Sequence, residues 1–225
     1  MQILAIQYAK LRLGEFTANG EEAHRHGRRP RDARIFERDR MFRYKPDYEE
    51  AKARLDAWWA GEITDRAPVL MHIPRPAPPE PPARHHDSLR DRWLDTQYLV
   101  ERSEWLCERT LFFAEAMPKP FPNLGPSIFS ALYGCPVTFE ETTSWTDPIL
   151  DSWDEADSVR FDPGTFYFRK YHEMTDALLE AGRGKWITSL WDIHTGGDHC
   201  ACLRGTEDFC MDLITHGEAI HAFLD

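Results

Sequence analysis

From residue 47 onward, apolar positions recur first at helical spacing, then in short unbroken runs, then at helical spacing again. Ala51, Leu55, Trp58 and Trp59 fall three and four residues apart behind Asp47, with Glu50 at the third helical position. That spacing predicts a capped helix that packs its tryptophans and stops near Gly61. Residues 68–73, PVLMHI, predict a strand that runs into the proline-rich loop IPRPAPPEPPARHHD, where no helix or central strand can form. Residues 96–117 carry Tyr98, Leu99, Trp105, Leu106, Leu111 and Phe112 at helical period. PKPFPNLGP follows as a rigid loop, then a short helix over 127–133 closed by Gly134, then a brief strand at Val137–Phe139. Phe166–Ala181 is strongly amphipathic and ends at Gly182. Residues 186–191 read as a buried strand, and two further helices are predicted from Thr206 or Glu207 and over Gly217–Leu224. Helices and strands in this alternation predict an α/β fold with parallel strands.

Residues 1–40 differ from the rest. Residues 21–40, EEAHRHGRRPRDARIFERDR, are almost wholly charged and contain Gly27 and Pro30, so a solvated, poorly ordered extension is expected there, with the domain over 41–225. The net charge of −11 argues against nucleic acid as a partner, because phosphate binding needs clustered Lys and Arg. Five cysteines at irregular spacing fit reduced thiols better than a disulfide framework. No stretch has the length and apolarity of a signal peptide or a membrane span, so a cytoplasmic protein with no membrane partner is expected. Eight tryptophans are enough to line a pocket as well as a core.

The chemistry concentrates where the 186–191 run turns polar, WDIHTGGDHCACLRG. Asp192 and His194 stand two residues apart at the exit of the expected strand, where a carboxylate orients an imidazole or shares proton transfer with it. The alternative for that pair is a loop cap with a packed histidine. Gly196, Gly197 and Asp198 form either an anion-approach turn before a helix or an ordinary turn. Asp192, His194 and Asp198 are the candidate catalytic residues. His199, Cys200 and Cys202 lack the spacing of a zinc site and are expected to be structural, so no metal is assigned. Asn123 and Arg75 are candidate substrate contacts, and Trp145 and Trp191 a candidate apolar wall or core pair.

Several stretches taken together resemble the uroporphyrinogen decarboxylase-like superfamily, which also contains cobalamin- and coenzyme M-linked methyltransferases. They are YKPDYEEAKARLDAWWAGEITDRAPVL, FPNLGPSIFSALYGCPVTFEE, TSWTDPILDSWDEAD, LLEAGRGKW and DIHTGGDHCACLRG. The resemblance implies a (β/α)8 TIM-type barrel with its site at the carboxyl ends of the strands. It implies decarboxylation of a carboxylated small molecule, or methyl transfer from a methylated one, and permits a homodimer. A barrel needs about 250 residues, so the chain is expected to cover about the amino-terminal half. An inactive half-barrel or ligand-binding remnant is then the alternative to an enzyme. The family's decarboxylases carry arginines after the first strand, where MHIPRP offers only His72 and Arg75. Their aspartate before the ALYG-like motif aligns with Gly125, with Asn123 nearby and no acid, which favours methyl transfer or an unassigned reaction. The zinc and corrinoid partner of the methyltransferases would depend on ligands outside this chain.

Overall fold

The computed structural model describes residues 42–224, so the extension expected over residues 1–40 lies outside them. Helix α1 spans Tyr48–Trp59 and buries Tyr48 and Ala51. Its start is not the expected cap: the Asp47 side chain accepts no backbone N–H but pairs with Lys45 Nζ at 2.8 Å. Trp58 and Trp59, expected to pack, are instead exposed and meet each other edge to face, with ring centroids 4.9 Å apart.

Strand β1 is Leu70–Pro74. The short helix α2, Leu89–Leu94, is capped by Ser88, whose hydroxyl accepts from Asp91 N. Helix α3 covers Thr96–Glu108 with Asp95 as its cap. The single long helix expected over 96–117 is divided: after Arg109 the run Thr110–Ala114 becomes strand β2. The β-branched and aromatic residues there favour a pleated surface, and β1 supplies a partner. The two strands pair antiparallel, with His72 opposite Phe112 and Leu70 opposite Ala114.

Two charged side chains pin the end of β2. Lys45 is fully buried, and its ammonium donates to Phe112 O at 3.2 Å and Ala114 O at 2.6 Å. Ala114 sits at φ 52°, a left-handed conformation uncommon for alanine, and the Lys45 contact helps hold it there. One residue on, the buried Glu115 carboxylate takes both Arg66 nitrogens at 2.7 and 2.8 Å and Val69 N at 2.7 Å. These contacts fix where the proline segment 118–122 begins.

Helix α4, Ile128–Ala131, precedes a hairpin of β3, Val137–Phe139, and β4, Ser144–Thr146. A 3-10 turn, Trp153–Ser158, leads to α5, Phe166–Ala181, which buries Tyr171, Met174, Thr175 and Leu178. Helix α5 packs on α3. It stops at Gly182, whose φ of −81° is ordinary. The glycine is required for a packing reason: a Cβ there would lie 2.3 Å from Trp186 Nε1. Helices α6, Gly197–Arg204, α7, Thr206–Thr215, and α8, Gly217–Leu224, close the chain. Cys135, Leu150, Trp153, Cys200, Leu203 and Ile220 form the core beneath them.

The expected strand over 186–191 is extended but carries no strand ladder, and the reason is specific. Ile187 N donates to Pro118 O at 3.0 Å and Ser189 N to Pro120 O at 2.8 Å. The constant offset is that of parallel pairing. The return bonds to the carbonyls of residues 187 and 189 would come from the nitrogens of residues 120 and 122, and both are prolines with no N–H to give. Half of a parallel ladder therefore forms. The regular sheets among the described residues are the two antiparallel pairs, and no closed barrel is formed by these residues. No helix among them is long and apolar enough to cross a membrane.

Candidate functional site

The loop that follows Trp191 does bring its three candidates together. His194 Nδ1 lies 2.8 Å from Asp198 Oδ2, and its Nε2 lies 3.1 Å from Asp192 Oδ1. Gly196, at φ 65°, turns the chain so that Asp198 falls in the first turn of α6, facing back to His194. The hydrogen bond to Asp198, followed by that to Asp192, raises the His194 pKa above its ordinary 6.5. With a carboxylate on each nitrogen, the imidazolium donates twice and has no free lone pair. Asp198 also places its own carboxylate at the α6 N-terminus, where an anion would otherwise be received.

His199, one residue further, is the opposite case. It is buried with Nδ1 2.8 Å from Ser130 Oγ, and its Nε2 has no hydrogen-bond partner. Phe129 and Tyr133 flank the ring at 5.0 and 4.5 Å between centroids. Burial pushes its pKa down to about 4, so the ring is neutral. Cys200 is fully buried, and Cys135 and Cys107 have thiols pushed up to about 12 by burial. These side chains belong to the core. Among the described residues no group of three or more His, Cys, Asp or Glu is placed to hold a metal ion.

The candidate substrate contacts do not assemble with the loop. Trp191 packs on Tyr171, with centroids 4.4 Å apart, as part of the core around Met174. Trp145 lies half exposed on β4 opposite Thr138. Arg75 Nε donates to Glu108 O at 2.9 Å and closes the end of α3. Asn123 alone of the four reaches a cavity.

That cavity is a cleft of about 400 Å³. Helix α3 contributes Leu99, Arg102, Ser103, Leu106 and Cys107, the stripe that a helix places on one face. The paired strands contribute His72, Thr110 and Phe112, which share a face of the hairpin. The segment after β2 contributes Met117, Lys119, Phe121 and Asn123. A smaller cavity of about 40 Å³ shares Leu99, Arg102 and Asn123 and adds Trp93. Arg102 and Asn123 therefore flank the place where the two meet.

Two features set the cleft's electrostatics. Arg102 and Lys119 make no ion pair or hydrogen bond to any described residue. Other cations of this acidic chain have partners: Arg43 pairs with Glu108, Arg66 with Glu115, Lys185 with Glu104 and Arg204 with Asp212, while Arg75, Arg90, Arg160 and Arg169 donate to neutral oxygens. In addition, Asn123 Oδ1 accepts from Gly125 N at 2.9 Å, which leaves its amide NH2 as the free end. Gly125 is held at φ 96° with no room for a Cβ, which would lie 1.7 Å from Ser144 Oγ. Sequence reasoning passed over Arg102 and Lys119. The signal for Arg102 was present: Tyr98, Leu99, Trp105 and Leu106 stand three and four residues either side of it, so the arginine interrupts an apolar stripe.

The chain matches no protein-family model, no curated protein and no solved structure.

Proposed function

We propose that the protein is a uroporphyrinogen decarboxylase-like enzyme that binds a carboxylated small molecule in the cleft between α3 and the β1–β2 hairpin. The observation that carries this reading is the pair of unneutralised cations, Arg102 and Lys119, set in a mostly apolar cavity beside the free amide of Asn123. A carboxylate is the ligand group that such charged and amide donors receive by charge-assisted hydrogen bonds. The sequence blocks resembling that superfamily support the same reading. So does the parallel pairing of 187–189 with 118–120, which a (β/α)8 arrangement requires of successive strands. Five free cysteines fit a reducing, cytoplasmic setting, and the net charge of −11 fits a small-molecule partner in place of nucleic acid.

Decarboxylation releases CO2 and leaves a carbon that must take up a proton. Asp192, His194 and Asp198 are the groups proposed to supply it, and the two carboxylates beside His194 favour its protonated, donating form. None of the three lines the cleft. That separation favours a second reading, a carboxylate-binding domain without chemistry. The corrinoid- or coenzyme M-linked methyl transfer allowed by the same resemblance would need its zinc ligands outside residues 42–224.

The test is incubation of the full chain with a panel of carboxyl-labelled acids, following both bound label and released CO2. Release that is lost in Arg102→Gln and in His194→Gln supports the enzyme. Binding without release supports the second reading. Failure of every acid to bind contradicts both.

A further inference from the structure

We infer that the cleft selects an amphipathic acid with one or two carboxylates on an aromatic or alkyl body, and that it rejects a tetrapyrrole polycarboxylate. This inference rests on the carboxylate-binding reading above and narrows its substrate class.

The donors define where the carboxylate goes. Arg102 and Asn123 border both cavities, so the space between them is reached from the large cleft and from the small one. Arg102 presents guanidinium N–H groups with no acceptor among the described residues. The Asn123 amide is oriented by Gly125 N, which takes the oxygen and turns the NH2 outward. Arg102 and Asn123 both present donors at this junction, so a ligand atom placed between them must be an acceptor, and a charged one is favoured. An amide or alcohol would leave the guanidinium charge unmatched. Lys119, from the same segment as Asn123, supplies a second cation and sets the limit near two carboxylates. The small cavity of about 40 Å³ has room for about one water, which completes the carboxylate's shell against Trp93.

The remaining wall decides the body of the ligand. Leu99, Leu106, Phe112, Met117 and Phe121 offer apolar surface and no donor side chain. A ring or short chain stacked there loses water at no polar cost. A macrocycle with carboxylates around its whole rim would press several of them on this apolar wall. Those beyond reach of Arg102, Lys119, His72 and Ser103 would lose their hydration without a partner.

Isothermal titration of the 225-residue chain with four probes tests this. The probes are 3-phenylpropanoate, 3-phenylpropanamide, phenylsuccinate and uroporphyrin. The acid is expected to bind roughly ten- to a hundredfold more tightly than the amide, the range for losing a charged hydrogen bond. Arg102→Gln is expected to erase that preference, and its thermal unfolding to match the parent, since the side chain is exposed and unpaired. Lys119→Gln checks the second cation independently and is expected to weaken succinate derivatives bearing a phenyl group more than 3-phenylpropanoate. Equal affinity for acid and amide would overturn the inference. Uroporphyrin binding as tightly as 3-phenylpropanoate would overturn the size and charge limit while leaving the carboxylate-binding reading intact. No binding of any acid would remove both.

Discussion

His194 and Arg102 are both charged side chains near the surface, and they differ in what remains unsatisfied around them. His194 spends both ring nitrogens on Asp192 and Asp198, and all three groups lie in one loop. The imidazole has nothing left over for a ligand unless a carboxylate lets go, and the carboxylate oxygens left over are acceptors that repel an acid. Arg102 and Asn123 come from separate elements, α3 and the proline segment, and leave only donors facing the cleft. A dense group of reactive residue types is therefore a weaker sign of a site than a small group with unmatched hydrogen-bonding capacity. The cluster in the 192–198 loop drew the eye in the sequence, and the cleft carries the stronger physical argument.

The largest expected effect breaks the cleft side of this comparison. Gly125→Ala puts a Cβ into Ser144 at a positive φ. It should cost about 3 kcal/mol or more in denaturant unfolding and should abolish carboxylate binding, because the turn that aims Asn123 is lost. Next comes the buried neighbour of the loop. His199 is neutral in the fold, with a pKa of about 4 against an ordinary 6.5. The unfolded chain takes up a proton first, so this stability is full above about pH 6.5 and falls as pH drops towards 4. The loss should be on the order of 2 kcal/mol between pH 7 and pH 5, and His199→Gln should flatten it in chemical denaturation at the two pH values.

His194→Gln sharpens the contrast with a small effect. The folded pKa is raised, so the clasp's contribution is present below about pH 6.5 and is lost as pH rises through the raised value. At this exposed site the change in stability should stay within about 0.5 kcal/mol, and the affinity for carboxylates should not move. A fall in affinity on that substitution would join the two regions into one site, contrary to the separation described above.

The sequence was informative where local pattern decides the outcome. Phe166–Ala181 forms as its periodicity indicates, and Val137–Phe139 is a strand. It misled where a distant partner decides. Thr110–Ala114 continues a helical pattern on paper, and β1 draws it into a hairpin. Trp58 and Trp59 share a face with Ala51, but no other described element covers them. Residues 186–191 have strand composition and find a parallel partner, yet Pro120 and Pro122 withhold the return bonds. The site was legible in part. Asn123 was chosen for its chemistry and does face the cleft. Arg102 was visible as a break in an apolar stripe, but its lack of a counter-charge needed the fold to be seen. Arg75, Trp145 and Trp191 were sound guesses by residue type, and their neighbours give them capping, hairpin and core positions instead.

The claim that unmatched donors in the cleft define the site has a direct test. 3-Phenylpropanoate is titrated calorimetrically into the parent chain, into Arg102→Gln and into His194→Gln under the same conditions. The cleft account predicts binding to the parent and to His194→Gln with equal affinity, and a loss of roughly tenfold or more in Arg102→Gln. Equal binding by the parent and Arg102→Gln, with loss in His194→Gln, would contradict it and return the site to the 192–198 loop.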